Sequence, residues 1–348
     1  GVPRALSAVM TEAARVDRHG FTSGELERVK ADVLRAYEQA HAEREQEESD
    51  VLAAEYVAHF LNGDPSPGIV AEYALVRTLL PGVTLGEVNV LAREWITTRG
   101  RVVLASVPAK AGVAVPGEAG LLDAIAAAAS LPVAAYDDVV SDQPLFAVPP
   151  VPGRIVTAAH DSLLGITTWM LSNGARVVVK PTDFKADEVL VSAFSPGGTS
   201  LASDADALAS ALGPFAVTAG GVGTLDAIAL QKRLAGTALD VTPYVAETTE
   251  GVVGSASPRD LETFFQLFHL YVTAPRADSA AYEAMRQGFH TMFENRELSP
   301  QTAMNDTLTV LLSQNHPRRQ PLTAARIDSV TMRHALALYA DRFRDAGD

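Results

Sequence analysis

The sequence predicts an α+β fold in which antiparallel sheets carry helices packed on one face. Apolar residues recur with a period of 3.6 through most of residues 1–95 and with a period of two after residue 165. In that second stretch, Asn173-Gly174 separates two short alternating runs, which is the strongest local signal for a β-hairpin. Further strands come first and helices follow them to Arg344, an order typical of α+β rather than α/β proteins.

The N-terminal stretch contains successive amphipathic helix patterns with recognisable start signals. Thr22 and Glu25 have the spacing of a capping box, in which each side chain satisfies the other residue's backbone amide. Thr84 is predicted to cap a later helix, and the alternating residues 101–107 that follow it predict a strand. Helical periodicity begins at the first residues without an initiator Met or an apolar leader, so we expect the natural chain to extend upstream of Gly1.

Composition and an internal repeat divide the chain into three parts. A helix that ends at Asn62-Gly63-Asp64-Pro65 has a counterpart that ends at Asn315-His316-Pro317, and similar helices surround both. Between the two copies lies a long stretch rich in Ala, Pro, Val and Asp, with a short helix expected near residues 121–129. The predicted parts are the C-terminal half of one α+β module, an inter-module linker, and a second α+β module that lacks its last strand or strands: residues 1–110, 111–165 and 166–348.

The second module has a predicted sequence of strands and helices. After the hairpin, alternation and turn residues predict three more strands, at 188–194, 238–245 and 251–255. Helical periodicity predicts helices that occupy residues 204–219, 224–234 and 258–273 and most of the remainder. We interpret Gly220-Gly221-Val222-Gly223-Thr224 as a turn between two of these helices, because a phosphate-binding loop would follow a strand and end in Lys-Ser or Lys-Thr.

Composition excludes several classes of function. The 28 basic and 42 acidic residues give a formal net charge of −14, which argues against nucleic acid or anionic lipid as a partner. The chain has no cysteine, which excludes thiol catalysis, disulfides, iron–sulfur ligation and Cys-containing zinc sites. The longest apolar stretch, residues 121–135, is interrupted by Asp123 and Pro132, so no membrane span is predicted.

The histidines do not form a metal-binding pattern. His41 and His290 each have a glutamate four residues later, but neither has the second histidine one turn away that H-E-x-x-H or H-x-x-E-H zinc sites require. His59 and His269 lie in apolar helix runs and are interpreted as structural. The sequence therefore predicts no catalytic, metal-binding or cofactor-binding residue in this chain, and it leaves substrate-binding residues unassigned.

Several ordered segments resemble the insulinase/pitrilysin family of zinc metallopeptidases. The segments read WMLSNGARVVVKPT, FSPGGTSL, YVTAPRAD and HPRRQPLT, at residues 169–182, 194–201, 271–278 and 316–323. The stretch from Gly20 to Lys30 is similar to the matching part of the preceding module. Members of this family consist of four modules that form two halves, like a clamshell, around a chamber. The resemblance therefore implies that this chain is the end of the second module, the linker and most of the third.

The resemblance also implies where the chemistry lies. In the family, an H-x-x-E-H helix of the first module holds zinc and activates water. The equivalent positions of this chain read Ser210, Ala211, Leu212, Gly213 and Pro214, none of which is a zinc ligand or a base. The resemblance therefore implies zinc in a module before Gly1, and a substrate-positioning Arg and Tyr after Asp348.

Three interpretations follow. The first is a zinc endopeptidase acting on peptides, in which this chain supplies chamber wall and linker, is inactive alone, and contacts peptides and other modules of the same protein. The alternative is a non-catalytic family member that binds peptides or braces a separate catalytic subunit, and a third is a plain assembly protein. One edge strand of a sheet is the expected seat for a peptide, without a choice of strand. A periplasmic location is implied by the resemblance if the source is bacterial.

Overall fold

The computed structural model describes residues 1–97, 99–107, 115–140, 144–146, 148–294, 296 and 299–344. It contains helices and antiparallel sheets, and the predicted α+β class is confirmed. The chain forms two compact units, of which the first comprises Gly1–His41 and Pro65–Val140 and the second comprises Ala42–Asp64 and Ser141–Asp348. The predicted boundary between residues 110 and 111 lies outside the described residues.

The regular secondary structure described for the first unit is all helical. Thr22 caps its second helix as predicted, since its hydroxyl accepts a hydrogen bond from the Glu25 amide at 3.1 Å and its own amide donates to the Glu25 carboxylate at 2.8 Å. Thr84 and Glu87 form a second capping box. The helices are α1 (Val2–His19), α2 (Ser23–Ala42), α4 (Ile69–Leu79), α5 (Leu85–Trp95) and α6 (Glu118–Ser130), the last of which confirms the predicted short helix.

Polar contacts hold the last described residues of this unit against α1 and α2. Arg18 donates to the carbonyl of Leu131 at 2.7 Å, just beyond the C-terminus of α6, where a cation is favoured by the helix dipole. Arg28 forms an ion pair with Asp138 at 2.8 Å, and the Asp138 side chain is only 6% exposed. The segment that follows α6 is therefore fastened by charge-assisted bonds rather than by a strand.

The strand predicted at residues 101–107 is not formed. The segment has no regular structure, and Val102 and Leu104 are 90% and 91% exposed. Alternation shows that a segment is suited to a sheet, but a strand exists only where a neighbour satisfies its backbone groups. None of the described strands pairs with this segment.

The second unit contains two three-stranded antiparallel sheets. The first has the order β1–β2–β3, and it includes the predicted hairpin with Gly174 in a left-handed conformation at the turn. The second has the order β4–β6–β5. The strands are β1 (Ile155–Asp161), β2 (Ile166–Leu171), β3 (Arg176–Val179), β4 (Val189–Pro196), β5 (Leu239–Val245) and β6 (Thr249–Ala256).

The sequence does not predict strand β1, whose residues lie within the stretch predicted as an inter-module linker, residues 111–165. Its seven residues are all exposed, so they lack the alternation of apolar and polar residues that reveals a half-buried strand. Pairing with β2 is what makes the segment a strand.

Helices cover one face of the second sheet. The inward residues of β6 include Val252, which is fully buried, and Gly254, where an added Cβ would lie 3.0 Å from the Phe264 ring. Residues that face the opposite side, such as Val253, remain exposed. The helices of this unit are α3 (Ser49–Asn62), α7 (Ala207–Gly220), α8 (Ala227–Arg233), α9 (Leu261–Thr273), α10 (Ser279–Glu294), α11 (Pro300–Leu312), α12 (Ala324–Asp328) and α13 (Met332–Arg342).

Helix α7 lies between two hydrophobic clusters. Val217 belongs to a cluster that contains Val252 of β6 and Phe264 of α9. Leu212 belongs to a second cluster, which contains Tyr282 of α10. The helix contacts β5, α10 and α13. It is apolar on nearly all sides because it is buried on nearly all sides.

Among the described helices, no single one is long and apolar enough to span a membrane; α4 with its adjoining turn and α5, bent by 96°, reach the required length and apolarity only as a pair.

The core position of Phe264 generates a stability prediction. Phe264→Ala should lower the free energy of unfolding by about 3–5 kcal/mol, because the ring is fully buried between sheet and helices. Its neighbour Phe265 is 49% exposed, so Phe265→Ala should cost only about 1 kcal/mol. Urea denaturation followed by circular dichroism measures both, and equal losses would contradict the described core.

Candidate functional site

The five positions that the family resemblance equates with H-x-x-E-H lie in the middle of α7. The predicted helix is confirmed at Ala207–Gly220, and it follows β4 as expected. Ser210, Leu212, Gly213 and Pro214 are buried, and Ala211 is half-buried. The candidate zinc-site counterpart is therefore an interior helix rather than the wall of an open cleft.

The family resemblance equates Ser210 with the first histidine of the motif. Its side chain is 1% exposed, and its hydroxyl has no hydrogen-bond partner among the described residues. Pro214 stands four residues later and has no backbone N–H, so the Ser210 carbonyl also loses the bond that a regular helix would provide. The position thus holds a buried hydroxyl that contributes no polar contact, which is a cost to stability.

The family resemblance equates Gly213 with the motif glutamate, and α13 closes the space in front of it. A Cβ added at Gly213 would lie 3.0 Å from the Cβ of Tyr339 and 3.1 Å from the carbonyl oxygen of Ala335. Tyr339 is fully buried and donates a hydrogen bond to the carbonyl of Tyr271 at 3.0 Å, and burial raises the pKa of its phenol. A catalytic zinc site keeps an open coordination position for water or substrate, and this packing leaves no such opening.

The structure places the histidines singled out by sequence in separate structural contacts. His290 bonds the Asp328 carboxylate at 2.8 Å, and Arg286 bonds the same carboxylate. His41 packs against Tyr73 with ring centroids 4.8 Å apart, and His59 bonds the Asp64 carbonyl at 2.6 Å. Among the described residues, no three His, Asp or Glu side chains come together as a group that could hold a metal ion.

The turn before α7 is held by a buried carboxylate that the sequence reasoning missed. Glu250, only 5% exposed, accepts hydrogen bonds from the Gly198 amide and from the Ser195 hydroxyl, the latter at 3.3 Å. Gly198 has φ of 65° and lies against the backbone of the turn that joins β5 to β6, which a side chain would not permit. The sequence feature that could have indicated this role is the position of Glu250 near the start of β6, which contains no other charged residue.

Arg318 ties the HPRRQPLT segment to this same turn. Its guanidinium donates to the carbonyls of Thr199 and Ala202 at 2.7 and 2.6 Å and forms an ion pair with Asp204 at 2.6 Å. The guanidinium lowers the pKa of the Asp204 carboxyl through that hydrogen bond and its charge. Two segments that carry the family resemblance are thus brought together around the start of α7.

The glycine-rich turn after α7 is a structural joint, in agreement with its interpretation as a turn between helices. The amide of Gly223 donates to the carbonyl of Ala274 at 2.8 Å, and the amide of Arg276 donates to the carbonyl of Gly221 at 3.1 Å. Arg276 also bonds the carbonyl of Gly220 at 3.0 Å. The YVTAPRAD segment therefore packs against this turn.

Comparisons with known proteins agree with this arrangement. A zinc protease PQQL-like protein of Arabidopsis thaliana is 32% identical over 204 residues, which are 58% of this chain and 21% of that protein. The probable zinc protease PqqL of Escherichia coli K12 is 26% identical over 278 residues, 77% of this chain and 29% of that protein. The resemblance of the chain to the insulinase/pitrilysin family is confirmed. No family model matches it.

Solved structures support the insulinase/pitrilysin fold. The periplasmic protease PqqL of E. coli superposes with a TM-score of 0.53 and 20% identity, covering 99% of this chain and 38% of that one. The ferredoxin protease FusC, solved as a mutant in complex with Arabidopsis ferredoxin, superposes with a TM-score of 0.57 and 18% identity, covering 97% of this chain and 38% of that one. The chain spans 21% and 29% of the length of its two curated relatives.

Ser210 and Ser257, which are both buried, make a matched pair. Ser210→Ala should leave the free energy of unfolding unchanged or raise it by about 1 kcal/mol, because the lost hydroxyl has no partner. Ser257, 2% exposed, donates to the Asp187 carboxylate at 2.7 Å, so Ser257→Ala should lower it by about 1–3 kcal/mol. Chemical denaturation distinguishes the two, and a large loss for Ser210→Ala would mean that its hydroxyl has a role.

The neighbouring arginines Arg318 and Arg319 test the turn before α7. Arg318→Ala removes three bonds to one turn and should lower the free energy of unfolding by about 2 kcal/mol. Arg319 pairs with the exposed Glu247 and with no other described side chain, so Arg319→Ala should change the free energy of unfolding by less than about 0.5 kcal/mol. Thermal and urea denaturation measure both, and equal effects would refute the anchoring role of Arg318.

Proposed function

We propose that this chain is a non-catalytic part of a longer insulinase/pitrilysin-like zinc metalloendopeptidase, in which it forms chamber wall and linker and contacts peptide substrates. The module boundaries at residues 1–110, 111–165 and 166–348 are part of this proposal. The zinc of the parent protein is proposed to lie in a module that this chain does not contain, and no residue of this chain is proposed to be catalytic.

The state of α7 is the single observation that carries the non-catalytic role. The motif positions hold a serine, a glycine and a proline where two histidines and a glutamate would be needed, and α13 occupies the space in front of them. If only the two histidines and the glutamate of a zinc site were replaced, the cleft that holds the metal would remain and be empty. Here the cleft itself is filled with core packing, which suits a module retained for its shape.

The named relatives support a protease as the parent. Both curated relatives carry the name zinc protease, and both are several times longer than the matched segment. The complex of FusC with ferredoxin supports small proteins as well as peptides as substrates. The name of the E. coli structure, a periplasmic protease, supports a periplasmic location if the source is bacterial.

Metal content and peptidase activity test this proposal. The 348-residue chain, purified without chelator, should contain far less than one equivalent of zinc and should cleave no peptide, because it lacks the ligand set. The full-length protein from the same gene should contain one zinc per chain and should lose peptidase activity on treatment with a chelator. Mass spectrometry of metals and a peptide library assay provide both measurements.

The contradicting outcomes are distinct. One equivalent of tightly bound zinc in the 348-residue chain would overturn the non-catalytic role. A full-length protein without zinc and without activity would overturn the protease and favour the alternative, a family member that binds peptides or braces a separate catalytic subunit. E. coli PqqL carried through the same purification is the matched control for retention of metal.

A further inference from the structure

A cleft of about 660 Å³ lies in the second unit, where the start of α7 meets the segment that contains α12. We call it the α7–α12 cleft. Its lining residues come from residues 204–208, at the start of α7, and from residues 317–330, which include most of the HPRRQPLT segment and all of α12. Its volume is within the range of natural ligand-binding pockets. The cleft is therefore large enough to hold a ligand.

Most polar side chains of the α7–α12 cleft already bond another residue of the protein. The Asp204 carboxylate forms an ion pair with Arg318 at 2.6 Å, and the guanidinium lowers the pKa of that carboxyl. Three further polar side chains of the cleft each bond a residue nearby in the chain: Gln320, Thr323 and Ser329. These groups therefore build the walls of the cleft and leave one polar side chain, Arg326, for a ligand.

The guanidinium of Arg326 is held at one nitrogen and open at the other two. Its Nη1 donates to the carbonyls of Gln320 and Pro321 at 2.7 and 2.9 Å. Its Nε and Nη2 bond no described residue, and Arg326 forms no ion pair with a described carboxylate. Arg326 is half-buried, but neither nitrogen is sealed from solvent. The edge of the guanidinium that carries Nε and Nη2 is thus fixed in position and accessible.

This edge of an arginine matches the geometry of a carboxylate. The N–H groups of Nε and Nη2 are parallel and can donate to both oxygens of one carboxylate. Leu208, Pro321 and Val330 also line the cleft and are apolar. A pocket with one well-placed charged group among apolar residues favours a carboxylate that is attached to an apolar group.

Local charge favours an anionic ligand, although the chain as a whole is acidic. Residues 316–326 contain three arginines and no acidic residue, in a chain of formal net charge −14. Arg318 and Arg319 are paired with Asp204 and Glu247, which leaves Arg326 without a described counter-charge. A partly desolvated charge without a counter-charge is costly, so a bound carboxylate would stabilise it.

We propose that the α7–α12 cleft binds a peptide through a carboxylate that Nε and Nη2 of Arg326 hold, with an apolar side chain of the peptide against Leu208 and Val330. An acidic side chain and the C-terminus of a peptide both supply this carboxylate. The inference rests on the proposed function for the choice of a peptide as the ligand. It assigns a substrate contact to a turn and a short helix rather than to a strand.

Four short peptides test the carboxylate. Each is an acetylated peptide of Leu, Ala and Ser with Glu or Gln in the middle and a free or amidated C-terminus, and calorimetry measures its binding to the 348-residue chain. Removal of the bound carboxylate should weaken binding about tenfold, because a charge-assisted, bidentate pair is lost. Loss with Gln assigns the acidic side chain, and loss with the amide assigns the C-terminus. Absence of binding, or equal binding of the peptide that has both Gln and the amide, would overturn the proposal.

Substitutions of Arg326 test the site in the protein. Arg326→Gln should weaken binding of the preferred peptide about tenfold. Arg326→Lys should restore only part of the affinity, because an ammonium group cannot donate two parallel bonds to one carboxylate. Arg319→Gln is the matched control, since it removes the same charge from the same segment but Arg319 does not line the cleft. Equal weakening by Arg319→Gln and Arg326→Gln would overturn the site, because the effect would then come from general charge.

A second variant fills the α7–α12 cleft and leaves the bonds of Arg326 to Gln320 and Pro321 in place. Ala205 is exposed and lines the cleft, so the indole of Ala205→Trp should weaken peptide binding about tenfold with an unchanged midpoint of urea denaturation. Ala303→Trp, at an exposed position of α11, is the matched control. Full binding by Ala205→Trp would overturn the site. None of these measurements involves zinc or cleavage, so failure of the site is distinguishable from failure of the proposed protease function.

Discussion

The burial of α7 is the constraint on which the second unit depends. One side of the helix belongs to the cluster formed by β5, β6 and α9, and its other side belongs to the cluster formed with α10, α12 and α13. A helix in this position can carry only small or apolar residues at its contacts. Because Gly213 has no side chain, Tyr339 and Ala335 of α13 can pack directly against its backbone. The sheet and the C-terminal helices are therefore held together through α7.

This constraint competes directly with metal chemistry. Two imidazoles and a carboxylate on the same helix would need solvent, a second shell of hydrogen bonds and an open position on the metal. The polar contacts of this region lie instead at the two ends of α7. Glu250 and Arg318 secure the turn before the helix, and the carbonyls of Gly220 and Ala274 help to secure the turn after it. The segments that carry the family resemblance consequently act as structural joints at the two ends of a buried helix.

The surfaces left exposed have a different character. The helices cover one face of the β4–β6–β5 sheet, whereas the other face retains exposed apolar residues, among them Leu190, Phe194 and Val253. Exposed apolar residues grouped on one face of a sheet are typical of a surface on which another part of the protein or a partner packs.

The sequence by itself determined the helices, their caps and the hairpin, because these depend on residues within a few positions of one another. Thr22 with Glu25, Thr84 with Glu87 and Asn173-Gly174 all form as their spacing indicates. It also determined that the five positions equated with the zinc motif by resemblance hold no histidine, aspartate or glutamate. Only the tertiary structure decided which extended segments become strands, because pairing needs a partner remote in sequence. Residues 101–107 alternate without pairing, whereas Ile155–Asp161 pair without alternating. The same holds for Glu250, whose importance comes from neighbours that no local pattern specifies.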